Sequence, residues 1–284
     1  MASWTDDSTA RGRARHFRSL RVDPLGIVGL VGLVILWWVL TFILPAHDLP
    51  APRAVALRFM TDFFRAPQLA FYGLSDTGLL DSMLYTACNV LIAAALGSAI
   101  GSLLGLVTAR IGFMRAITDP VMLTAGTVPI LVTAPFFLIW FGTGRISSVL
   151  LVTIYVTVIL YIYAQRAAEN LDPVYEDSAR TLGATDGRVV SDVLIPAVVP
   201  EILGGVRIAL AGSWGLEAIS ELLGAQYGIG KIVQVLAGSA DIEGIFAALL
   251  LLGLVAVLVD AVAALLISRI ASWSVASTTD GDSR

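Results

Sequence analysis

Ionisable side chains interrupt the long apolar stretches of this 284-residue sequence at a few places. Glu217 and Glu221 lie four residues apart, so a helix carries both carboxylates on one face. Arg207 precedes them, and Asp260 falls within the last apolar stretch. Such groups usually face a partner or water, because an unpaired charge in an apolar environment is costly. We interpret Glu217 as a candidate residue of the solute path. Glu221 is a second candidate, but it lies closer to the membrane surface, and the alternative is that its carboxylate simply faces the aqueous interface. We predict that Arg207 pairs with Asp260.

A second concentration of charge is the passage EDSARTLGATDGRVVSDVLIP at 176–196. Asp172 followed by Pro173 predicts a helix start, with a side-chain cap and proline in the first turn. Gly183 predicts the end of that helix. A second short helix is expected from about 186 to 195, ended by Pro196. The pattern predicts a polar helix–Gly–helix hairpin whose first helix has an apolar face, formed by Tyr175, Ala179 and Leu182.

The composition indicates which elements must position these residues. The chain is 57% hydrophobic and only 14% charged, against about 25% charged in soluble domains, and its mean hydropathy is +0.85. Runs without charge long enough for the roughly 20 residues of a bilayer-spanning helix cover 24–46, 82–109, 120–144 and 146–165, and two charge-interrupted runs cover 202–222 and 244–268. The sequence predicts an all-α polytopic membrane protein with six transmembrane helices.

The basic residues predict the orientation of those helices. Segments placed inside hold twelve basic residues, Arg11, Arg13, Arg15, Arg18, Arg21, Arg110, Arg115, Arg166, Arg180, Arg188, Arg269 and Arg284, and segments placed outside hold five, Arg53, Arg58, Arg65, Arg145 and Lys231. Because basic residues favour the cytoplasmic side, both termini are predicted inside. The expected parts are a basic tail (1–22), the first span with an outer segment (23–81), a core of five spans (82–270) with an inner loop (166–200), and a tail (271–284).

The outer segment begins HDLPAPRAVALRFMTDFF and predicts an amphipathic helix at the outer surface. Val55, Phe59 and Phe63 repeat at a spacing of four, which places their side chains on one helical face. A helix with one such apolar face lies in the interface rather than crossing the bilayer.

Glycine and proline suggest how the spans pack. Gly97, Gly101 and Gly105 recur at every fourth position and predict a groove that another helix can approach closely. Pro129 and Pro135 interrupt the third span, TVPILVTAPFFLIWFGTG. A broken helix is tolerated where neighbours or a cavity satisfy the freed carbonyls. The prolines therefore predict either a kink for packing or a stretch that lines a substrate path. Trp214 of the fifth span is also assigned to this path.

Several kinds of chemistry are unsupported. The single cysteine, Cys88, and two histidines outside the spans do not predict a metal site. Lys231 follows Gly230, but Ala225 and Ile232 occupy the glycine and hydroxyl positions of a nucleotide-binding loop. Uphill transport would therefore draw on a partner or an ion gradient. One hypothesis is an ion-gradient-driven carrier that uses Glu217 and Asp260.

The polar hairpin resembles the EAA motif of ATP-binding-cassette importer permeases. The pattern is Glu-Ala-Ala, three residues, Gly, nine residues, then Ile-x-Leu-Pro; here Asp and Ser replace the first two residues and Ile replaces Leu. The matching residues are Asp177, Ser178, Ala179, Arg180, Leu182, Gly183, Ile195 and Pro196. In that family the motif forms a coupling helix that docks on the ATPase, so the resemblance implies this role for these residues.

The resemblance extends to the nitrate/sulfonate/taurine branch over nearly all of 49–273. It rests on LPAPRAV at 49–55, Asp119-Pro120, WFGTG at 140–144, Trp214 with Glu221, Gly228-Ile-Gly230, and Asp260 with Trp273. It implies a six-span, type I importer permease in the bacterial plasma membrane, paired with a second identical or similar copy. The implied partners are two ATPases that carry ATP and Mg²⁺, an external solute-binding protein and membrane lipid, with no nucleic acid. The cargo implied by the resemblance is a small solute, above all a small anion such as a sulfonate, taurine or nitrate.

Overall fold

The computed structural model describes residues 24–45, 47–72, 74 and 78–270, and the regular structure in these ranges is entirely helical. The predicted basic tail at 1–22 and the C-terminal tail at 271–284 lie outside the described residues. The chain divides into two compact units, the first ending at Pro52 and the second beginning at Arg53. The first unit contains helix α1, Pro24–Leu40, and its chain turns back so that Trp37 Nε1 donates to the carbonyl oxygen of Pro50 at 3.1 Å.

The second unit begins with two short helices, the first of which starts at the boundary residue Pro52, and continues into the long ones. Its helices are α2 (Pro52–Asp62), α3 (Pro67–Phe71), α4 (Leu79–Arg110), α5 (Gly112–Thr127), α6 (Ile130–Phe141), α7 (Arg145–Glu169), α8 (Pro173–Thr181), α9 (Asp186–Arg188), α10 (Ile195–Gly224), α11 (Ile229–Gly238) and α12 (Ile242–Ile270). A π-helical segment, Val189–Leu194, joins α9 to α10. Val55 of α2 is buried, so the outer amphipathic segment contributes to the core of this unit.

Within the described residues, four helical stretches are long and apolar enough to cross a bilayer: α4, α7, the continuous stretch Asp186–Gly224, and α12. The pair α5–α6 counts as a fifth if it is one broken span. Helix α1 is equally apolar, but its 17 residues correspond to about 26 Å of helix, slightly less than the hydrocarbon thickness. The structure therefore supports four to five candidate spans by length and composition.

Glycines permit the most extensive helix contact in the second unit, between α4 and α7. Gly97, Gly101 and Gly105 are all buried on α4. A β-carbon at Gly97 would lie 2.7 Å from the carbonyl oxygen of Thr153, and one at Gly101 would contact the carbonyl oxygen of Thr157. The two backbones thus meet along the groove formed by the glycines, which is the packing that membrane helices use where no hydrophobic drive exists between them.

The third apolar stretch is broken at its first proline. Helices α5 and α6 are bent by 102° relative to each other, and Pro129 caps the start of α6. Proline lacks an amide hydrogen and restricts the preceding residue to an extended conformation. Val128 accordingly has φ −74° and ψ 124°. Pro135 instead lies inside α6 without ending it.

The polar hairpin differs from the prediction in its second arm. Asp172 Oδ1 accepts a hydrogen bond from the amide of Val174 at 2.9 Å, and Gly183 has φ +88°, so α8 begins and ends as expected. The prediction that Pro196 ends the second helix is wrong, because the helix runs on to Gly224. The wider π-helical turn at Val189–Leu194 precedes the proline and accommodates it in a continuing helix.

Candidate functional site

Glu217 and Glu221 lie on one face of α10 and have no exposed surface in this chain. They meet α4 on one side and the start of α11 on the other. Asn89 Nδ2 donates a hydrogen bond to Glu217 at 2.9 Å, and the hydroxyl of Thr86 donates to Glu221 at 2.9 Å. The backbone amide of Gly230 also donates to Glu221 at 3.0 Å. We call these five residues the carboxylate cluster.

Glycine is required where α11 approaches the carboxylate cluster. Gly228 has φ +106°, and a β-carbon there would collide with the carboxyl group of Glu221. A β-carbon at Gly230 would collide with the carbonyl oxygen of Ala218. The amide of Ile229 donates to Thr86 Oγ1 at 2.9 Å, so Thr86 is both donor and acceptor in the cluster. The turn before α11 is therefore held against α4 and α10 by backbone hydrogen bonds as well as side chains.

Arg145 closes the cluster from α7. Its Nε donates to Asn89 Oδ1, and its guanidinium carbon lies 4.9 Å from the centre of the Tyr85 ring. In the described part of the chain it forms no ion pair with either carboxylate. The Asn89 side-chain amide therefore bridges Arg145 and Glu217, because it accepts a hydrogen bond from the guanidinium and donates one to the carboxylate.

The two carboxylates are predictable from the sequence, but their partners were not predicted. Thr86 and Asn89 are polar residues three apart within an otherwise apolar stretch, and that spacing puts both on the same face of α4. The spacing of Thr86 and Asn89 could therefore have predicted them as partners of the buried carboxylates. Arg145 offered no comparable signal, since its position at the start of α7 is equally expected for a residue that faces the aqueous interface.

The remaining pathway candidates occupy separate positions. Trp214 is buried on α10. Pro129 lines a cavity of about 280 Å³ in the angle between α5 and α6, together with Gly126 and Tyr155. Pro135 lies further along α6 beside the buried Ala134. Because Trp214, Glu217 and Glu221 are enclosed within this chain, their contact with a solute stays a prediction that requires the bundle to open.

The structure brings Arg207 and Asp260 together. Arg207 Nε donates to Asp260 Oδ1 at 2.9 Å, and Nη2 donates to Oδ2 at 2.6 Å. Both side chains are 43% exposed, so the pair lies on the outside of the α10–α12 contact rather than in a closed core. Two parallel hydrogen bonds give this pair a fixed geometry, which a single contact would not.

The polar hairpin presents a mixed surface. Its base is packed, because Leu194 and Val198 are buried against Ala167 and Ala168 of α7. Its first helix is exposed, and Leu182 retains 89% of its surface. The other resemblance residues follow the same division, with Asp177, Ser178 and Arg180 exposed and Ala179 half-buried on α8, Gly183 exposed at the turn, and Ile195 and Pro196 exposed at the start of α10.

One ion pair fixes the hairpin to the rest of the unit. Arg110 at the end of α4 donates through Nη1 to Glu176 Oε2 at 2.9 Å and also contacts Oε1 through Nη2. The hydrogen bonds from Arg110 hold the pKa of Glu176 below its ordinary value, although partial burial opposes this. Arg180 approaches the same carboxylate at 3.6 Å. The orientation of α8 is thus coupled to the end of α4.

Comparison with known proteins supplies the family. Residues 83–272 match the family model described as "Binding-protein-dependent transport system inner membrane component". The chain is 27% identical to the taurine transport system permease protein TauC of Escherichia coli strain K12, over 89% of this chain and 90% of that protein. It is also 27% identical to the putative aliphatic sulfonates transport permease protein SsuC of Bacillus subtilis strain 168, over 81% of this chain and 80% of that protein.

Solved structures support the fold. An inward-facing structure of the MetNI methionine ABC transporter matches with a TM-score of 0.58 and 18% identity, over 68% of this chain and 95% of that one. A bacterial ABC transporter involved in alginate import matches with a TM-score of 0.58 and 16% identity, over 90% and 99%. These matches show the type I ABC importer permease fold. With two thirds of its length matched by one family model, the chain belongs to the family of inner-membrane components of binding-protein-dependent transport systems.

Proposed function

We propose that this chain is the permease subunit of an ATP-driven importer for a small sulfonate or taurine-type solute. Family membership carries the permease assignment, and the substrate class rests on the relatives named for taurine and aliphatic sulfonates. Relatives named for riboflavin and formylaminopyrimidine transport match at 26% and 25% identity. The substrate therefore needs a direct measurement.

The proposed topology has six spans with both termini inside. Helix α1 is the first span, and the bent pair α5–α6 is the third, since the two helices together are apolar but separated by a break. The distribution of basic residues supports this orientation. It places the carboxylate cluster toward the outer side and the polar hairpin in the cytoplasm.

The hairpin is the proposed docking site for a separate ATPase that binds ATP and Mg²⁺. Exposed apolar side chains on a polar element favour a protein partner, and Val174 and Tyr175 of α8 and Leu182 at its C-terminal cap are all exposed. Charged neighbours such as Asp177 and Arg180 surround them. The Arg110–Glu176 pair then transmits a movement of α8 to α4. Two ATPases, a second permease copy and an external solute-binding protein complete the proposed importer.

The proposed solute path follows the broken third span and α10. Pro129 keeps α5 and α6 apart at an angle, and the cavity in that angle is a place where the path can open. Trp214, Glu217 and Glu221 contribute from α10 in a conformation that separates α10 from its neighbours. Alternating access driven by the ATPase provides such a conformation.

A glycine substitution tests the coupling role. A β-carbon at Gly183 would meet nothing within 4 Å, so Gly183→Trp adds bulk at a position whose immediate surroundings are open. We expect the complex to remain assembled in the membrane but taurine uptake to fall to background. Gly183→Ala is the matched control, because it imposes the same strain at positive φ without the bulk. Normal uptake by Gly183→Trp would contradict the coupling assignment.

Purification distinguishes the ATP-driven importer from an ion-gradient carrier. An affinity-tagged chain extracted from its native membrane should bring an ATPase with it, and uptake should require ATP. The carrier hypothesis relies on Glu217 and Asp260, yet these residues belong to separate networks, one around Asn89 and one with Arg207. Uptake by the purified chain alone under a pH gradient would favour the carrier instead.

A further inference from the structure

A cavity of about 240 Å³ lies between the start of α4 and the turn that leads into α11. Asp81, in the first turn of α4, and Lys231, in the first turn of α11, both line it. Ser82 and Gln226 add neutral polar groups to its wall. The cavity is below the roughly 300–1,000 Å³ of pockets for drug-sized ligands, so its volume suits a ligand of only a few heavy atoms.

The two opposite charges in this cavity do not neutralise each other. Within the described residues Asp81 forms no ion pair, and the ammonium group of Lys231 donates to the neutral side chain of Gln234 at 2.7 Å. Opposite charges that share a small cavity without contact leave both available to a ligand. A ligand with one charge would satisfy one side chain and be repelled by the other.

Aromatic rings complete the wall. Tyr85 and Tyr227 both line the cavity, with ring centres 5.9 Å apart. The Tyr227 side chain is exposed, and an aromatic face attracts an organic ammonium group. Hydroxyl and amide groups from Ser82 and Gln226 are hydrogen-bond donors for anionic oxygens. The cavity thus offers groups for both ends of a dipolar ligand.

We propose that this cavity is a binding site for a small zwitterion that carries an ammonium group and an oxyanion separated by a short spacer. The ammonium group lies toward Asp81 and the oxyanion toward Lys231. Two sources share this chemistry, a free amino-sulfonate such as taurine and the headgroup of phosphatidylethanolamine. The site is separate from the path proposed above, and its assignment does not require the chain to be an importer.

The cavity also borders the carboxylate cluster. Gly228 lines the cavity, and the next residues donate backbone hydrogen bonds to Thr86 and Glu221. Tyr85 faces the cavity and also lies beside Arg145, which donates to Asn89 of the cluster. A ligand that fixes the turn before α11 therefore stabilises the contacts that hold α4, α7 and α10 together.

The first arm of the test measures binding of the free solute. The full-length chain is placed in nanodiscs of phosphatidylcholine and phosphatidylglycerol, and calorimetry follows taurine, ethanesulfonate and ethylamine. We expect taurine to bind and both singly charged compounds to bind at least tenfold more weakly. Asp81→Asn and Lys231→Gln should each weaken taurine binding at least tenfold, whereas Arg53→Gln, at an exposed outer cation elsewhere, should not.

The second arm measures the lipid. Native mass spectrometry of the chain from phosphatidylethanolamine-containing nanodiscs should show that lipid retained by the wild type and lost from Lys231→Gln if the headgroup is the ligand. Lys231→Arg and Asp81→Glu, which keep the charges, show whether a loss reflects misfolding. Selective binding in either arm supports the site. Taurine and lipid binding that is absent, or unchanged in the charge-neutralised variants, overturns it whether or not the chain proves to be an importer.

Discussion

Glycine has opposite roles in the α4–α7 contact and in the polar hairpin. At Gly97, Gly101 and Gly105 an added β-carbon would collide with the backbone or side chains of α7. At Gly183 it would meet nothing within 4 Å, and the residue is glycine because its φ is +88°. The first set removes volume so that two helices can touch. The second position supplies a backbone conformation while leaving the space around it free.

This difference separates a rigid part of the unit from a surface available to a partner. The α4–α7 contact has no spare volume, so a movement applied to one helix is transmitted to the other. The hairpin has a packed base but an open tip, which suits docking. The carboxylate cluster belongs with the rigid part, since its carboxylates are wholly buried and hydrogen-bonded to two other helices, α4 and α11.

The largest effect is expected from Gly101→Val. The added carbons would overlap the carbonyl oxygen of Thr157 and lie within about 3 Å of Leu160 Cβ, so α4 must move away from α7. Overpacking costs about 1–3 kcal/mol and more where the backbone must shift. We expect a loss of folded protein, measured as the thermal midpoint and the yield of monodisperse protein in detergent. Gly253→Val is the matched control, because the space around this helical glycine is open. Equal stability of the two variants would refute the proposed tight contact.

Glu221→Ala should be the next most destabilising change. It removes the acceptor for the Gly230 amide, and a buried donor left without a partner costs about 1–3 kcal/mol. It also removes one acceptor of the Thr86 hydroxyl, which keeps the carbonyl oxygen of Ser82 at 3.1 Å. Glu221→Gln retains one acceptor oxygen and should lose less. Thermal unfolding in detergent at fixed pH measures both. If Glu221→Ala is as stable as the wild type, the cluster does not hold α11 in place.

The Arg207–Asp260 pair should show a smaller effect that a second mutation reverses. Arg207→Asp and Asp260→Arg each place like charges opposite each other and should reduce the amount of assembled protein. The double variant restores opposite charges and should recover most of it, because the bidentate pair lies on the outside of the bundle with room to reform. Quantification of correctly inserted protein for all four combinations gives the coupling. No recovery in the double variant would count against the pairing.

The sequence indicated faces of helices better than it indicated partners. Spacing placed Gly97, Gly101 and Gly105 on one side of a helix, and capping chemistry placed the ends of α8, because both depend on residues close in sequence. The contact from Asn89 to Glu217 joins residues 128 positions apart. Periodicity contains no information on such pairs, since it orients each helix without specifying which helix lies opposite.

The same limit explains the misplaced end at Pro196. Proline usually stops or kinks a helix because it lacks an amide hydrogen and its ring clashes with the preceding turn. Here the π-helical turn at Val189–Leu194 changes the hydrogen-bond register before the proline, so the helix continues. Local rules predict that a proline disturbs the helix, but the packing of Leu194 and Val198 against α7 favours continuation over an end.

The smallest predicted effect lies on the hairpin side and depends on pH. Arg110 lowers the pKa of Glu176, so the ion pair contributes stability above the ordinary glutamate pKa of about 4.3, and this contribution is lost as the pH falls through the lowered value. Because Arg110 is partly exposed, the loss should be below about 1 kcal/mol. Hydrogen exchange of the α8 amides should therefore rise, after correction for intrinsic rates, only as the pH falls below the ordinary glutamate pKa. Glu176→Gln should show the faster exchange already at neutral pH and little further change in acid. An identical acid response in both proteins would mean that another group holds α8 against α4.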